Sequence, residues 1–497
     1  MDRTLARRLL VVSLAIGIAV DVLLDGPAFG INVPIAIVIV VTSAWLVRRR
    51  DRAPDPLDAW LPVSALVLAG FAAVRADPVV ALDVTAALVF AGASVAAFSG
   101  LAVTRRSAAI ITMIGVWVIE GVVIGCGRAV AAARPARDEQ APRVPSWAAP
   151  LGRGLFLGVP LALMFAVLFA SADPIFRRGF LDVLGLQIDL GDLPGRVLFI
   201  GAATWFAAGL LGIAAVGIPA MERSSLGAAS RTVSPPLERM LGATEALVVL
   251  VAIVVVFGLF VLLQLAYLFG GQDTLAAAGM TYSAYARRGY FELVAAAGLA
   301  GGLLVVLELL VMQRTKAYVA LAVALIGLTG VVLASAAMRL QLYQDAYGWT
   351  ELRLYVAVSI VAMAASLVAL AAFIVTARTH LIGHALAVIG VVSLIGLNVL
   401  APSAFVAARN VDRVIHPELV PPDGDRTLDL SYLNVLADDA VPVLVRALPS
   451  LPASDAADMR VILDRRRAEL ASDPTLTSPA AWNVGREAAK AALSTLP

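Results

Sequence analysis

Long apolar runs alternate with short polar interruptions along most of this chain, and the alternation stops near Pro402. Runs of roughly 20 mostly apolar residues fit membrane-spanning helices. They fall near 9 to 24, 30 to 47, 58 to 74, 79 to 103, 108 to 127, 154 to 171, 197 to 219, 242 to 269, 289 to 311, 317 to 337, 352 to 376 and 383 to 401. The pattern predicts an all-α, polytopic integral membrane protein with about 12 (11 to 13) transmembrane helices. The runs at 9 to 24 and 58 to 74 are short for a full crossing.

Beyond 401 the pattern changes to short amphipathic stretches separated by prolines: DDAVPVLVRAL at 438 to 448, MRVILDRRRAEL at 459 to 470 and AAWNVGREAAKAAL at 480 to 493. These read as a small C-terminal helical soluble domain. A stretch rich in proline, alanine and charge at 128 to 153 reads as a linker. The expected organisation is an N-terminal transmembrane block at 1 to 127, a cytoplasmic linker at 128 to 153, a main transmembrane domain at 154 to 401 and a soluble tail at 402 to 497.

Composition sharpens the membrane reading. Of 497 residues, 60% are hydrophobic and only 15% charged, against about 25% charged in soluble domains, and the mean hydropathy is +0.89. A net charge of +2, scattered among loops, excludes a nucleic-acid surface. The single cysteine, Cys126, excludes an internal disulfide framework and a multi-cysteine metal site. The N-terminus MDRTLARR followed by LLVVSLAIGIAV has the outline of a signal peptide. No A-x-A-like cleavage site follows and Asp21 interrupts the run, so a retained first span is expected.

Arginine and lysine in short loops mark the cytoplasmic side. Arg134, Arg137 and Arg143 precede the sixth run, Arg223, Arg231 and Arg239 the eighth, Arg314 and Lys316 the tenth, and Arg378 the twelfth. The first third conflicts with this, because Arg3, Arg7 and Arg8, Arg48 to Arg50, and Arg105 with Arg106 also read as cytoplasmic. Five spans do not join those positions to an inside loop at 128 to 153.

Four polar stretches stand out: SADPIFRRGF at 171 to 180, TYSAYARRGYFELV at 281 to 294, MRLQLYQDAYGWTELRLYV at 338 to 356 and APSAFVAARNVDR at 401 to 413. They follow the sixth, eighth, tenth and twelfth runs, so parity places them on one face, and the arginine rule makes that face extracytoplasmic. Gly348 fits the end of one helix and Thr350 the N-cap of the next. Candidate residues for ligand or partner binding are Asp173, Tyr285, Arg288, Glu292, Arg339, Tyr343, Asp345, Glu351 and Arg353. The charged ones either form a structural ion-pair network or line a site, and the sequence leaves both open. Tyr267, Tyr282, Trp349 and Tyr355 fit the interfacial aromatic belt. Glu120, Glu245 and Glu308 lie inside apolar runs, where an unpaired charge costs several kcal/mol, and are candidate intramembrane acids.

No phosphate-binding loop, dinucleotide glycine fingerprint, nucleophile elbow or HExxH is present. His380 and His384 share a helix face but lack a third ligand. No cofactor and no metal are therefore expected.

The motifs ASADPIF, YARRGYFELV, MRLQLYQDAYGWTELRLYV and APSAFVAARNVDR, followed by LDLSYLNVLADDAVPVL, together resemble a family of uncharacterised bacterial multi-pass membrane proteins known only as a domain of unknown function. The resemblance covers roughly residues 150 to 448. It implies an inner-membrane location and supplies no activity, substrate or catalytic residue. A departure lies at LAPSAF, where the family pattern has Asn-Pro followed by a small acidic residue, so no role for an acid is carried over there.

The first expectation is a non-enzymatic envelope protein whose outer polar face and C-terminal helices bind a partner or small ligand, in contact with the lipid bilayer. The rival is a transporter, which needs a polar cavity near the midplane, with Glu120 or Glu308 facing the bundle interior. A third reading is an enzyme acting on lipid or envelope substrates, with Asp173, Asp345, Glu292 or Glu351 as acid or base.

Overall fold

A backbone surrounded by Leu, Ile, Val, Ala and Phe finds no hydrogen-bond partner but itself, and the helix supplies that partner within one segment. The computed structural model describes residues 28–47, 55–98, 148–172, 241–268, 290–311, 313–422 and 424–497, with Leu23 and Thr104. Among the described residues all regular elements are helical, and the β feature is an isolated bridge between Leu241 and Val311. In chain order the helices are α1 (Asn32–Val47), α2 (Trp60–Gly70), α3 (Val79–Phe98), α4 (Ala148–Ala172), α5 (Ala243–Leu268), α6 (Tyr290–Leu310), α7 (Lys316–Tyr347), α8 (Glu351–Val375), α9 (Ile382–Leu400), α10 (Pro402–Ile415), α11 (Leu430–Val435), α12 (Val441–Ala447), α13 (Ala453–Ser472), α14 (Pro474–Thr477) and α15 (Val484–Leu493).

Six described segments are long and apolar enough to cross a membrane: Pro56–Ala73, Ala243–Gln264, Tyr290–Leu310, Lys316–Tyr347, Glu351–Val375 and Thr379–Leu400. Asn32–Ser43 and Val79–Ser94 are shorter apolar helices. Apart from Leu23, the runs expected near 9 to 24, 108 to 127 and 197 to 219 lie outside the described residues. The chain is a helical membrane protein.

Two compact units are formed, one from residues 1–106, 341–362 and 386–497, the other from 107–340 and 363–385. In the first, α1, α2 and α3 pack on one another. Ala65, Ala69, Ala72, Ala87 and Ala91 are all buried there, and small side chains let helix backbones approach closely. The C-terminal helices of the same unit have their own core. Met459 and Leu463 of α13 and Ala489 and Leu493 of α15 pack with Val406 and Val411 of α10. Val79 and Leu354, at the starts of α3 and α8, join that core.

Backbone bonds tie the head formed by α10–α15 to the ends of the N-terminal helices. The N–H of Ala28 donates to the Thr475 carbonyl (3.0 Å), that of Ile31 to the Trp482 carbonyl (2.9 Å), and that of Gly485 to the Val74 carbonyl (3.0 Å). Gly30 allows this approach, because a Cβ there falls 2.4 Å from the Ala481 carbonyl carbon.

In the second unit α4 packs along α5, and α6 packs on α4. Phe169 stacks on Phe260 at 4.0 Å and meets Phe257 edge-on at 4.9 Å. Glu245 sits three residues beyond Gly242 and accepts its N–H (2.8 Å), the reciprocal half of a capping box at the start of α5. Glu308, near the end of α6, pairs with Arg314 at 3.1 Å, and the same guanidinium donates to the Ile374 carbonyl (2.7 Å) at the end of α8.

Candidate functional site

The turn between α7 and α8 is built as the residue pattern predicts. Gly348 takes a positive φ of 78°, the conformation glycine adopts at least cost, and its N–H returns to the Gln344 carbonyl (2.9 Å). The Thr350 hydroxyl accepts the Arg353 N–H at 3.3 Å, capping α8. The last carbonyls of α7 have no partner in their own helix, and Arg413 of α10 supplies one. Its guanidinium donates to the carbonyls of Gln344 (3.1 Å), Asp345 and Ala346 (3.1 Å), and to that of Asp425 (2.8 Å). Burial lowers the Arg413 pKa, while Asp345 and Asp425 oppose that shift. Asn410 completes the joint, accepting the Trp349 N–H (2.8 Å) and donating to the Trp349 carbonyl (2.9 Å). Arg353 lies 4.0 Å over the Tyr343 ring and donates to the Tyr347 and Gly348 carbonyls.

Beside this joint lie four buried or half-buried acids, two of which, Asp77 and Glu351, bond to polar groups of the head. Ala401 adopts a left-handed φ of 50° between α9 and α10, and Pro402 opens α10. That sharp turn aims the Ser403 N–H at Asp77 Oδ2 (2.8 Å), placing a carboxylate at a helix N-terminus. The Ser403 hydroxyl donates to Glu351 Oε1 and accepts the Ala437 N–H (3.3 Å). The Glu351 N–H donates to the Tyr432 hydroxyl at 2.8 Å. Asp439 accepts the Ala76 N–H (3.0 Å), and Asp83 accepts a hydrogen from the Asn398 amide (2.9 Å). Burial raises the Asp77 pKa against the pull of the Ser403 and Val79 N–H groups. Asp439 is pushed up to about 6, first by burial and then by the neighbouring Asp77 charge. Asp438 is also raised by burial, although Arg466 (3.6 Å) and Arg486 (3.5 Å) flank it. Among the described residues no three His, Cys, Asp or Glu side chains are gathered to hold a metal ion.

Residues 33–447 match the family model described as Domain of unknown function (DUF4153). The chain belongs to that family. A comparison with curated proteins and one with solved structures each find no match. The match to the family of unknown function starts at residue 33, earlier than the motifs alone indicate. It therefore takes in α1–α3 as well as the joint, and ends at the close of α12.

Of the residues singled out from the sequence of this family member, Tyr343, Asp345, Glu351 and Arg353 come together in the first unit. Glu351 and Arg353 make bonds that fix the turn and the head. Arg339 is buried in the second unit, at 2% exposure. Glu292 is half-buried in the first turn of α6. Glu245 and Glu308 serve as the helix cap and ion-pair partner already described. Asp173, Tyr285, Arg288 and Glu120 lie outside the described residues. Two of the four polar stretches, 338 to 356 and 401 to 413, meet through the Arg413, Asn410 and Ser403 bonds.

Asp77, Asp83, Asn398, Ser403 and Asp439 are the residues that sequence reasoning passed over. Asp83 had a readable signal, a lone carboxylate in the apolar run VVALDVTAALVF. Ser403 lies in the stretch LAPSAF, and its hydroxyl binds Glu351 there. Nearby, α3, α8 and α9 leave an apolar groove of about 630 Å³ lined by Leu82, Phe90, Tyr355, Val358 and Leu394.

Proposed function

We propose that the chain is a non-enzymatic protein of a bacterial inner membrane. It spans the bilayer about twelve times and holds a helical head at the extracytoplasmic ends of its spans, where the head binds an envelope partner or small ligand. The observation that carries this reading is how the polar groups are used. Glu351, Ser403, Asn410 and Arg413 bond the head to the α7–α8 turn, and Arg353 bonds within that turn, rather than standing free around a cavity. A catalytic acid or base needs reach to a substrate proton, and these groups are engaged with one another or with backbone.

The orientation is supported by basic residues at the opposite helix ends. Arg314 and Lys316 stand at the start of α7 and Arg378 follows α8, whereas the head is bonded to the end of α7 and the start of α8. In sequence, Arg48–Arg50 follow α1 and Arg105 follows α3, while the head meets the start of α1 and the end of α2. Under the positive-inside rule this distribution supports an extracytoplasmic head. The arginines of the first third that conflict with this parity, Arg3, Arg7, Arg8, Arg48 to Arg50, Arg105 and Arg106, lie outside the described residues.

The test uses the full chain with a phosphatase active only outside the cytoplasm, or a fluorescent protein that matures only inside it, fused after Pro497. Phosphatase activity with a dark fluorescent fusion is expected, and the reverse pattern refutes the orientation. In right-side-out vesicles, Asn410→Ala combined with Arg413→Ala exposes the head to protease while the spans stay protected. Unchanged protease resistance contradicts the holding role of the joint.

A further inference from the structure

Asp83 of α3 and Asn398 of α9 are both fully buried at 0% exposure. The Asn398 amide nitrogen donates to Asp83 Oδ2 (2.9 Å) and to the Leu394 carbonyl of its own helix (2.9 Å). Both amide hydrogens are thus used, which fixes which end of the amide is oxygen. Oδ1 of Asn398 and Oδ1 of Asp83 remain buried acceptors without a donor. An ionised carboxylate in that position lacks half its hydrogen bonds in an apolar setting, and burying an unsatisfied charge is among the most costly arrangements in a protein. A single hydrogen on Asp83 removes both deficits. Placed on Oδ1, it takes the charge off a carboxyl that has one donor and gives the buried pair a hydrogen to donate.

We propose that Asp83 is a proton-binding site, holding α3 to α9 as a neutral acid–amide pair. Asp77, at the start of α3, presents a like charge. Glu351 and Tyr355 of α8 and Asp439 of the head face Asp77 in turn, and Arg75 acts on Asp77 and Asp439. Loss of the proton leaves a bare charge between α3 and α9, so the two helices separate more readily as pH rises. This goes beyond partner binding, since the ligand is a proton and the site lies away from the α7–α8 joint.

Infrared spectroscopy of the full chain in detergent tests it. A protonated-carboxyl stretch, shifted in heavy water, is expected at pH 5, reduced by one carboxyl in Asp83→Asn. The asparagine keeps an acceptor for the Asn398 amide and carries no charge, so that variant is expected to melt at or above the parent temperature and to lose part of the parent's pH dependence. A stretch undiminished in Asp83→Asn overturns the proposal, as does a variant that melts well below the parent at pH 5. Asn398→Ala is a second probe that leaves the acid in place. The same band should move to higher frequency as its acceptor is lost, and an unmoved band also overturns the assignment.

Discussion

Replacing Gly485 by alanine sets two physical effects against each other. Gly485 lies in the first turn of α15, where helix propensity alone favours alanine by about 1 kcal/mol. The structure predicts the opposite sign. A Cβ on Gly485 falls 2.1 Å from Asp439 Oδ1 and 3.1 Å from the Ala76 backbone nitrogen. The Asp439 carboxylate has little freedom to withdraw, because its other oxygen accepts the Ala76 N–H (3.0 Å) and the side chain is buried. Gly485 is itself tied to the Val74 carbonyl at 3.0 Å. Overpacking costs typically 1–3 kcal/mol, and a hydrogen bond to a charged group contributes about 1.5–3 kcal/mol. Against the propensity gain, the net loss is about 1.5–5 kcal/mol. The assay is thermal and denaturant unfolding of the full chain in detergent. A variant as stable as the parent, or more stable, refutes the close seating of α15 on the α2–α3 turn. Shortening the opposing residue in Asp439→Ser, combined with Gly485→Ala, is expected to recover part of the loss, and strictly additive effects contradict the contact.

Asp439 also sets a pH dependence. Its folded pKa of about 6 lies above the ordinary aspartate value of 3.8, so the folded state holds the proton more tightly than the unfolded chain. Its contribution is favourable below about pH 4 and is lost as pH rises through about 6, up to about 3 kcal/mol at 1.36 kcal/mol per unit. Asp439→Asn is expected to flatten the stability profile between about pH 4 and 7, and an unaltered slope contradicts the burial argument. Ala377 ends α8 with a φ of 56°, and Arg378 donates back to the Phe373 carbonyl (3.0 Å) in a Schellman arrangement. Ala377→Gly relieves that left-handed strain and is expected to raise stability by about 1 kcal/mol, measured by chemical denaturation. Arg413→Ala removes the guanidinium donor from the carbonyls of Gln344, Asp345 and Ala346, of which Gln344 and Ala346 keep the Gly348 and Asp425 N–H groups, with an expected loss of about 1–3 kcal/mol. A neutral result there refutes the capping of α7.

Much of the architecture follows from local physics that a single sequence displays. The apolar runs mark the spans because hydrocarbon solvates neither charge nor open backbone. Gly348 and Thr350 mark a turn because one tolerates a left-handed conformation and the other caps a helix. The amphipathic stretches near 441, 459 and 484 become α12, α13 and α15. The site was less legible, since its partners are distant in sequence. Asp77 bonds to Ser403 across 326 positions, Asp83 to Asn398 across 315, and Ala76 to Asp439 across 363. Periodicity carries no record of such pairings. The prominent charges, Glu351 and Arg353, mark the joint because exposed turns tolerate charge, while the buried acids beside them are hidden in runs that read as ordinary helix.

The central claim is that the head is fastened to the membrane helices through backbone bonds. Hydrogen exchange of the full chain in lipid nanodiscs measures this directly, at the amides of Ala28, Ile31, Gly485 and Asp425, which donate to Thr475, Trp482, Val74 and Ala346. The account predicts that these amides exchange as slowly as helix interiors in the head, and that Gly485→Ala releases those at 28, 31 and 485 together. Fast exchange at these positions in the parent protein, with the head helices still protected, contradicts it.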